Sequence, residues 1–549
     1  MLYCSRFAMN SGDIFAYPKS VFRTWMIILS VIMLFMSGWV NSSLAVVVYV
    51  DKDSGGGDGS SWDQAYTSLD AAVDSTYYTA DFWIAEGTYT PSSTLILGLN
   101  QNHSYYGGFA GNETALNQRN ITAHPTVISG QGILKHVFNV TSFVNNVRFD
   151  GLTVTGGNAN DASGVDASGG GIVVNKGTVV IANSTFTNNF ATHLGGAVYL
   201  VNNPSVTITN SAFTNNTVVS GGGAGVAVTR NSGDSEPPAA AISKCTFQGN
   251  TGGNVGGGLY SLHYPIAVSE STFVGNSSEN GGAIMIDYKL TNADKIERCL
   301  FVDNTSTVRG GAICSFARSV EVENSVFSKN SSFVRGGAVG MHSGVTDSAY
   351  YNQNYTGIFR NSVFYANQAE SLGGGIDNIG DHRMYIYNSI FWANQAPDIF
   401  WEDGVQRSSD DIANPGLSTM DMYYTDMESW DQPDAPVAVN AAGNFSEDPL
   451  FVDPDGSDNA LGTADDDLSI TYSSPCIDRA DGDNAVTTDF EFRVREDYPS
   501  VPNQGIGTPD YSDIGAFEGP SSGDPPPPQP PPPMPDSINM TPILYLLGA

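Results

Sequence analysis

The sequence predicts a right-handed, single-stranded parallel β-helix, a solenoid of about a dozen coils with an N-terminal cap helix. Three observations favour this fold. Between residues 186 and 394 the pattern Phe-x-x-Asn recurs eight times, a glycine pair follows each of the first seven of these asparagines by five or six residues, and successive phenylalanines are 26 to 37 residues apart. A typical spacing near 27 residues accommodates three short strands and their turns, which make one coil of such a solenoid.

The repeated phenylalanines and asparagines occupy equivalent positions in successive coils. Coils stack about 4.8 Å apart, so we expect the phenylalanines to form one internal column and the asparagines a hydrogen-bonded ladder at a turn. Asparagine suits a turn because it tolerates the left-handed backbone region, and its amide both donates and accepts. The predicted ladder comprises Phe186, Asn189, Phe213, Asn216, Phe247, Asn250, Phe273, Asn276, Phe301, Asn304, Phe327, Asn330, Phe364, Asn367, Phe391 and Asn394.

The glycine pairs and the residues after them complete the coil. Small or β-branched apolar residues follow the glycines, as at 197–200 and 283–286, which is typical of short strands. Glycine permits a positive φ or a backbone approach too close for a Cβ atom. Burying one phenylalanine contributes roughly 1.5–3 kcal/mol, whereas fixing the backbone costs about 1–2 kcal/mol per residue. A coil is therefore stable only beside other coils.

The paired motifs resemble the repeats in the passenger regions of the chlamydial polymorphic outer membrane proteins, over about residues 180–400. Beside Phe-x-x-Asn, this sequence has Gly-Gly-Ala-Val at 195 and 336 and Gly-Gly-Ala-Ile at 281 and 310, with Gly-Gly-Gly departures at 256 and 373. Residues 46–135 also look like the opening of secreted bacterial right-handed β-helix proteins. These resemblances imply a secreted, β-helical, adhesive protein.

Composition changes divide the chain into five segments. These are a signal peptide at 1–45, an N-terminal cap and first coils at 46–135, the repeats at 136–400, an acidic insertion with C-terminal coils and cap at 401–519, and a proline-rich spacer with a short apolar tail at 520–549. The candidate cap helix runs from Ala65 to Val73.

The N-terminal segment has the pattern of an export signal. Lys19 and Arg23 precede an apolar run, Trp25–Met36, and Ser43-Leu44-Ala45 is a small-x-small cleavage site. We expect cleavage after Ala45. The run of about twelve apolar residues is shorter than the roughly 20 that a spanning helix needs, so no spanning helix is expected in the mature chain.

The charge balance restricts the partners. The chain has 57 acidic and 23 basic residues, a formal net charge of −34. Such a surface repels nucleic acid and anionic lipid, so nucleic acid is not expected as a partner. We expect an extracellular carbohydrate or a host or neighbouring cell surface, and a secreted or cell-surface location associated with the outer membrane.

A cluster of aspartates suggests a calcium site. Six aspartates fall within fifteen residues, and oxygen-rich loops of this kind suit Ca²⁺, which takes six to eight hard ligands. The alternative is a solvated acidic loop. The candidate ligands are Asp453, Asp455, Asp458, Asp465, Asp466 and Asp467.

Two long insertions suggest a binding edge. Both fall between a glycine pair and the next Asn-Ser-x-Phe, at about 229–240 and 343–355, so we expect both on one edge of the solenoid. The second contains Tyr350, Tyr351 and Tyr355, whose rings could stack on sugars. Tolerated surface insertions are the alternative.

Two arginines suggest an anion site. Arg309 and Arg335 each precede a glycine pair in adjacent coils, so their cations should lie about 5 Å apart. Such a pair could hold a uronate or a sulfate, or it could be neutralised by a nearby carboxylate.

These features favour an adhesive protein that binds carbohydrate or another surface without catalysis. The sequence offers no convincing catalytic set, and no catalytic residue is assigned. Asp287 and Asp377 lie about three coils apart, farther than the roughly 5–9.5 Å of a glycosidase pair. The alternative, a lyase or hydrolase acting on acidic polysaccharide, rests on analogy of fold.

Overall fold

The computed structural model describes residues 45–75, 79–97, 102–140, 146–288, 293–342, 355–379, 382–396, 399–402, 419–428, 430, 440–463 and 465–519. The predicted signal peptide, most of the acidic insertion and the proline-rich tail lie outside these residues. The described residues form one α-helix, Leu69–Asp74, three 3-10 helices, Trp62–Gln64, Leu116–Gln118 and Val165–Ala167, and many short strands. None of the described helices is long and apolar enough to cross a membrane.

Each coil contributes one strand to each of three long parallel sheets. In the described residues, sheet 1 consists of Val46–Val50, Ala80–Ala85, His103–Phe109, Asn146–Asp150, Thr178–Ala182, Ser205–Thr209, Ala240–Ser243, Ile266–Ser269, Asp294–Glu297, Val320–Glu323, Tyr355–Arg360, His382–Tyr387, Thr419–Tyr423 and Asn440–Ala442. Sheet 2 consists of Gly87–Tyr89, Thr126–Ser129, Leu152–Thr155, Thr185–Thr187, Ala212–Thr214, Thr246–Gln248, Thr272–Val274, Leu300–Val302, Val326–Ser328, Val363–Tyr365, Ile390–Trp392 and Asp426–Met427.

Sheet 3 follows sheet 2 along each coil, after a turn that carries short strands of its own. Sheet 3 consists of Leu95–Leu97, Phe138–Val140, Ile172–Asn175, Val198–Val201, Val226–Thr229, Leu259–Leu262, Ile284–Asp287, Ile313–Phe316, Val339–His342, Ile376–Ile379 and Ile399–Glu402. The turn strands are Asn158–Ala159, Phe190–Ala191, Thr217–Val218, Ser277–Asn280, Thr305–Arg309, Ser331–Ser332 and Gln368–Ala369. Neighbours in every one of these sheets are parallel strands from successive coils, which confirms the predicted right-handed parallel β-helix.

The eight repeated phenylalanines form a single internal column. Their side chains are fully buried, their ring centroids lie 4.4 to 5.1 Å apart, and their planes differ by 2 to 13°. Val154 occupies the equivalent position in the coil before Phe186, and Met427 occupies it in the coil after Phe391. The apolar core therefore runs the length of the repeat as one continuous cluster.

The repeated asparagines form a hydrogen-bonded ladder beside this column. Asn304 is typical: its Oδ1 accepts from the backbone N–H and the Nδ2 of Asn276, at 3.0 and 2.9 Å. Its own Nδ2 donates to the carbonyl of Phe273 and to Oδ1 of Asn330, both at 2.9 Å. Each buried amide thus satisfies two backbone groups of the preceding coil and also donates to the amide of the next coil.

The ladder asparagines do not adopt the left-handed backbone that the sequence analysis assigned to them. That conformation belongs to the residue immediately before, such as Asn188 (φ 53°), Asp303 (φ 50°) or Lys329 (φ 53°). A second left-handed position begins each Asn-Ser-x-Phe segment, as at Asn324 and Asn361. The ladder position therefore requires asparagine for its amide and not for its backbone.

The two glycines of a pair meet different demands. The first usually has a positive φ, as at Gly310 (φ 64°). The second, Gly311, has an ordinary φ, but a Cβ atom there would come within 2.1 Å of the carbonyl oxygen of Gly337 in the next coil. The turn between sheets 2 and 3 therefore stacks too closely for any side chain at the second position.

The N-terminal cap helix is shorter than predicted. The sequence predicts a helix from Ala65 to Val73, whereas the α-helix begins at Leu69, because Ala65 is extended and Ser68 is the N-cap, its Oγ accepting from the N–H of Ala71. Leu69 and Val73 are buried in the main core, so the helix covers the first coils as expected.

Residues 445–519, which we call the lateral segment, fold back along the side of the solenoid. The strands Thr419–Tyr423, Asp426–Met427 and Asn440–Ala442 do extend the stack. The lateral segment instead covers the outer face of sheet 2, where Val326, Val363 and Ile390 join Leu468, Cys476, Ile477 and Ile514 in a second apolar cluster. The sequence analysis placed this segment at the end of the solenoid.

The left-handed asparagines of successive coils anchor the lateral segment. Asn324 Nδ2 donates to the carbonyl of Thr488 at 2.7 Å, and Asn388 both donates to the carbonyl of Asp481 and accepts from its N–H, at 3.0 and 2.8 Å. A glycine is required at Gly515 (φ 100°), where a Cβ atom would lie 2.8 Å from Ile390. The segment is therefore fixed to the coils by hydrogen bonds and by close packing.

We predict that Asn304→Ala lowers the free energy of unfolding by at least about 2 kcal/mol. The substitution removes the hydrogen bonds from the N–H of Asn276 and to the carbonyl of Phe273, both of which stay buried. Leaving a buried polar group without its partner costs about 1–3 kcal/mol. Urea denaturation followed by circular dichroism measures the change. Asn254→Ala, at an exposed asparagine, is the control, with an expected change within about 0.5 kcal/mol. Equal losses in both variants would contradict the role assigned to the ladder.

Candidate functional site

Both long insertions leave the solenoid at the same edge, between a strand of sheet 3 and the next strand of sheet 1. The first connects Val226–Thr229 to Ala240–Ser243, and the second connects Val339–His342 to Tyr355–Arg360. Residues 343–354, with Tyr350 and Tyr351, lie outside the described residues. Tyr355 begins a sheet 1 strand and is only 4% exposed, so its ring does not offer the sugar-stacking surface that the sequence predicted.

Arg309 and Arg335 are direct neighbours, paired through a parallel bridge at the edge before their glycine pairs. Both lie near His342, a residue of sheet 3 that is 5% exposed. Burial and, secondarily, the charges of Arg309 and Arg335 lower the pKa of His342 to about 4, so the imidazole is neutral at pH 7. Anion binding by the two arginines stays a prediction.

The two aspartates of sheet 3 occupy separate environments. Asp287 accepts a hydrogen bond from the Tyr260 hydroxyl at 3.2 Å, and burial raises its pKa to about 6. Asp377 is fully buried, three strands further along the sheet and in a different outward column. Within the described part of the chain, no group of three or more His, Cys, Asp or Glu side chains is arranged to hold a metal ion.

The six aspartates proposed for calcium lie in one turn of the lateral segment. The strands Phe451–Asp453 and Asp467–Ile470 pair antiparallel and bring the two ends of the acidic run together. Asp465 accepts from the Ser457 and Thr463 hydroxyls, both at 2.7 Å, and these bonds lower its pKa to about 2. Hydroxyl groups of the turn itself therefore already stabilise one of its carboxylates, that of Asp465.

The pKa of Asp453, unlike that of Asp465, is raised, which indicates that negative charges are crowded in the same turn. Partial desolvation and then the neighbouring Asp455 raise the pKa of Asp453. Carboxylates that repel one another in an open loop are the groups that a bound cation would stabilise. Calcium binding here stays a prediction, and the turn's internal hydrogen bonds are the competing explanation for the aspartates.

The outer face of sheet 1 carries a group of aromatic side chains that the sequence analysis did not identify. We call Tyr385, Tyr387 and Tyr423, with Arg360, the tyrosine face. Arg360, Tyr387 and Tyr423 follow one another in register on three successive strands, and Tyr385 lies two residues before Tyr387. The alternation Arg-Met-Tyr-Ile-Tyr at 383–387, with Met384 and Ile386 buried, was the available signal.

The rings of the tyrosine face are nearly parallel and half-buried. The centroids of Tyr385 and Tyr387 are 6.5 Å apart with planes 1° apart, and those of Tyr387 and Tyr423 are 5.6 Å apart with planes 10° apart. The guanidinium of Arg360 lies 5.7 Å from the Tyr387 ring centroid and pairs with Glu321 and Glu323. These contacts hold the three rings nearly parallel, with the arginine beside them, on the partly exposed outer face of sheet 1.

A second group of carboxylates lines a cavity of about 270 Å³ inside the lateral segment. Asp513 accepts from the N–H groups of Asp478 and Gly519, at 2.7 and 2.6 Å, and Glu518 accepts from Arg495 at 3.0 Å. Burial raises the pKa of both acids, and burial with the nearby Asp513 raises the pKa of Asp478 to about 7. The hydrogen bonds identify these groups as supports of the segment's fold.

We predict that the lateral segment is more stable near pH 5 than near pH 8. A folded-state pKa above the unfolded value of about 4 contributes stability that is complete below pH 4 and is lost as the pH rises through the folded value, here between about 4 and 8 for Asp478, Asp513 and Glu518. Urea denaturation at the two pH values measures the difference. Asp478→Asn cannot ionise and should reduce the pH dependence. An unaltered pH dependence in that variant would rule out Asp478 as the titrating group.

We predict that Ca²⁺ raises the melting temperature by several degrees and that a chelator reverses the rise. The predicted effect depends on the number of hard oxygen ligands in this turn, which must converge on the cation, because no three of them are already arranged to hold a metal ion in the described residues. Scanning calorimetry with Ca²⁺, with Mg²⁺ and with EGTA at matched ionic strength measures the effect. Asp455→Asn should reduce it, and Asp303→Asn, at an exposed aspartate of the repeat, should not. An unchanged melt after chelation would favour the turn's own hydrogen bonds.

The comparisons with known proteins agree with the repeat. The family model of the Chlamydia polymorphic membrane protein repeat matches residues 183–200 and 298–315. No curated protein matches the chain. The crystal structure of pectate lyase Pel9A is similar at 14% identity and a TM-score of 0.37, over 86% of this chain and 96% of that one, and a likeness of this degree carries no inference about activity. The protein is a parallel β-helix with repeats that resemble those of the polymorphic membrane proteins.

Proposed function

We propose that the protein is located at a cell surface or outside the cell and adheres to carbohydrate through the tyrosine face, without catalysis. The observation that carries the proposal is the set of near-parallel, half-exposed rings of Tyr385, Tyr387 and Tyr423 on the flat outer face of sheet 1. The repeats shared with a family of membrane proteins support the location.

Aromatic rings fixed by their surroundings suit sugar binding. The C–H groups on one face of a pyranose pack against an aromatic ring, and a tyrosine hydroxyl adds a polar group at the ring's edge. Because the Tyr387 ring already stacks on Tyr423 and lies under the guanidinium of Arg360, little side-chain freedom is lost when a ligand binds. A preorganised surface therefore contributes more affinity than the same rings on mobile loops.

The charges around the rings suit polar groups on a polymer. Arg360 lies between the tyrosines and two glutamates, Glu321 and Glu323, and Asp421 is opposite Tyr385 on the next strand. Sugar hydroxyls both donate and accept, so a surface with carboxylates and a guanidinium can bind several of them. A sheet surface open along the strands also allows a long polymer to lie across it.

We predict that Tyr387→Ala weakens binding to the polymer by about fivefold or more, since a lost ring contact costs about 1 kcal/mol. Retention on immobilised neutral, uronate-containing and sulfated polysaccharides, followed by titration, measures the loss. Tyr387→Phe keeps the ring and should retain most of the affinity, and Tyr288→Ala, a tyrosine outside this face, should have no effect.

The same preparations test for catalysis. Adhesion without catalysis predicts that the polysaccharides show no new reducing ends and no unsaturated ends after incubation. Either product would favour an enzyme acting on polysaccharide. Full retention by Tyr387→Ala and Tyr423→Ala would refute the role of the tyrosine face.

A further inference from the structure

One strand of sheet 1 places an arginine in line with two rings of the tyrosine face. Arg383, Tyr385 and Tyr387 are partly exposed on the outer face of the sheet, and Met384 and Ile386 between them are buried. Alternate side chains of a strand share a face, so each step between these outward residues is about 7 Å. A chain of sugars that lies along this strand on the rings therefore also passes over Arg383.

Arg383 has no carboxylate partner within the described residues, unlike the other arginines of this sheet. The described strands of sheet 1 carry three arginines. Arg148 pairs with Asp150 at 2.7 Å, and Arg360 pairs with two glutamates. Arg383 forms neither an ion pair nor a side-chain hydrogen bond with any described residue. In a chain with 57 acidic and 23 basic residues, an arginine without a carboxylate is unexpected.

The guanidinium of Arg383 is accessible from outside the sheet. Its Nε is buried, whereas its two terminal nitrogens, which bond to no described residue, keep accessible surface. The aliphatic part of an arginine commonly packs on its surroundings while the charged end stays in water. A ligand on the outer face can therefore reach the two terminal nitrogens directly.

The positions around Arg383 leave its charge uncompensated. Thr356 and Thr419 are in register with it on the two adjacent strands, and neither carries a charge. The acidic residue of the next strand, Asp421, lies two residues further along that strand, and its Oδ1 accepts from the Nδ2 of Asn440 at 2.8 Å. Its carboxylate is therefore engaged by an amide of the following strand and not by the arginine.

We infer that Arg383 makes the tyrosine face specific for a polysaccharide that carries isolated carboxylate or sulfate groups among neutral sugars. This specificity rests on the proposed adhesion through the same face. A planar guanidinium binds a carboxylate or a sulfate through two parallel N–H groups, while neighbouring neutral sugars lie on Tyr385 and Tyr387. A chain charged at every sugar fits less well, because two glutamates and an aspartate share this face and the net charge is −34.

Two pairs of polysaccharides that differ only in charge test the specificity of the full chain. They are glucuronoxylan with its carboxyl-reduced form, and lightly sulfated dextran with dextran, and biolayer interferometry measures the affinities. We expect the wild-type protein to bind the charged member of at least one pair about fivefold more tightly than the neutral member, and Arg383→Gln to bind both members equally. The pair that shows the preference distinguishes a carboxylate from a sulfate.

Two further variants separate the charge at this position from the net charge of the protein. Arg383→Lys keeps the charge but loses the planar fork, so it should retain only part of the preference. Lys135→Gln removes one positive charge from the turn between sheets 2 and 3, where Lys135 pairs with Asp161, and it should retain the whole preference.

Equal affinity of the wild-type protein for the two members of both pairs would overturn the specificity. A preference that survives in Arg383→Gln, or tighter binding of polygalacturonate, which is charged at every sugar, would also overturn it. In each of these cases, weaker binding by Tyr387→Ala would leave the tyrosine face standing. Absence of binding to every polysaccharide would instead refute the proposed adhesion itself.

Discussion

The structure depends on the requirement that every coil present the same side chains to its neighbours in register. A ladder amide such as Asn304 satisfies a backbone N–H and a backbone carbonyl of the preceding coil, and it also donates to an amide at the same position in the next coil. The phenylalanine beside it packs against an identical ring on each side. Neither contact exists within one coil, so stability is shared among neighbours along the whole repeat.

Because the inward positions are fixed, the outward positions are free to differ between coils, and the specific features of this protein lie there. The first outward residue of each sheet 2 strand is threonine or alanine in early coils, such as Thr185, Ala212 and Thr246. Where the lateral segment packs, this position becomes Leu300, Val326, Val363 and Ile390. The outward residues of sheet 1 become tyrosines on its later strands. The turn strands shift in register where the coil from Asn276 to Gly281 is one residue shorter than both neighbours. Because the coils stack in register, similar outward residues of successive coils lie side by side and form one continuous surface.

The proposed sugar surface and the acidic lateral segment differ in physical character. The tyrosine face combines aromatic rings with an arginine that pairs with two glutamates, so it suits an extended polymer. The buried acids of the lateral segment are instead bonded to its own backbone.

The sequence by itself determined the fold, the phenylalanine column and the amide ladder, because a repeat of fixed period places equivalent residues above one another without further information. It could not assign the left-handed backbone to the residue before each ladder asparagine, since that depends on the turn's geometry. It also placed residues 445–519 at the end of the solenoid and Tyr355 at a surface, whereas tertiary packing places the first along sheet 2 and buries the second. The tyrosine face was decided only in three dimensions, because it combines residues from different coils whose proximity depends on the register between strands.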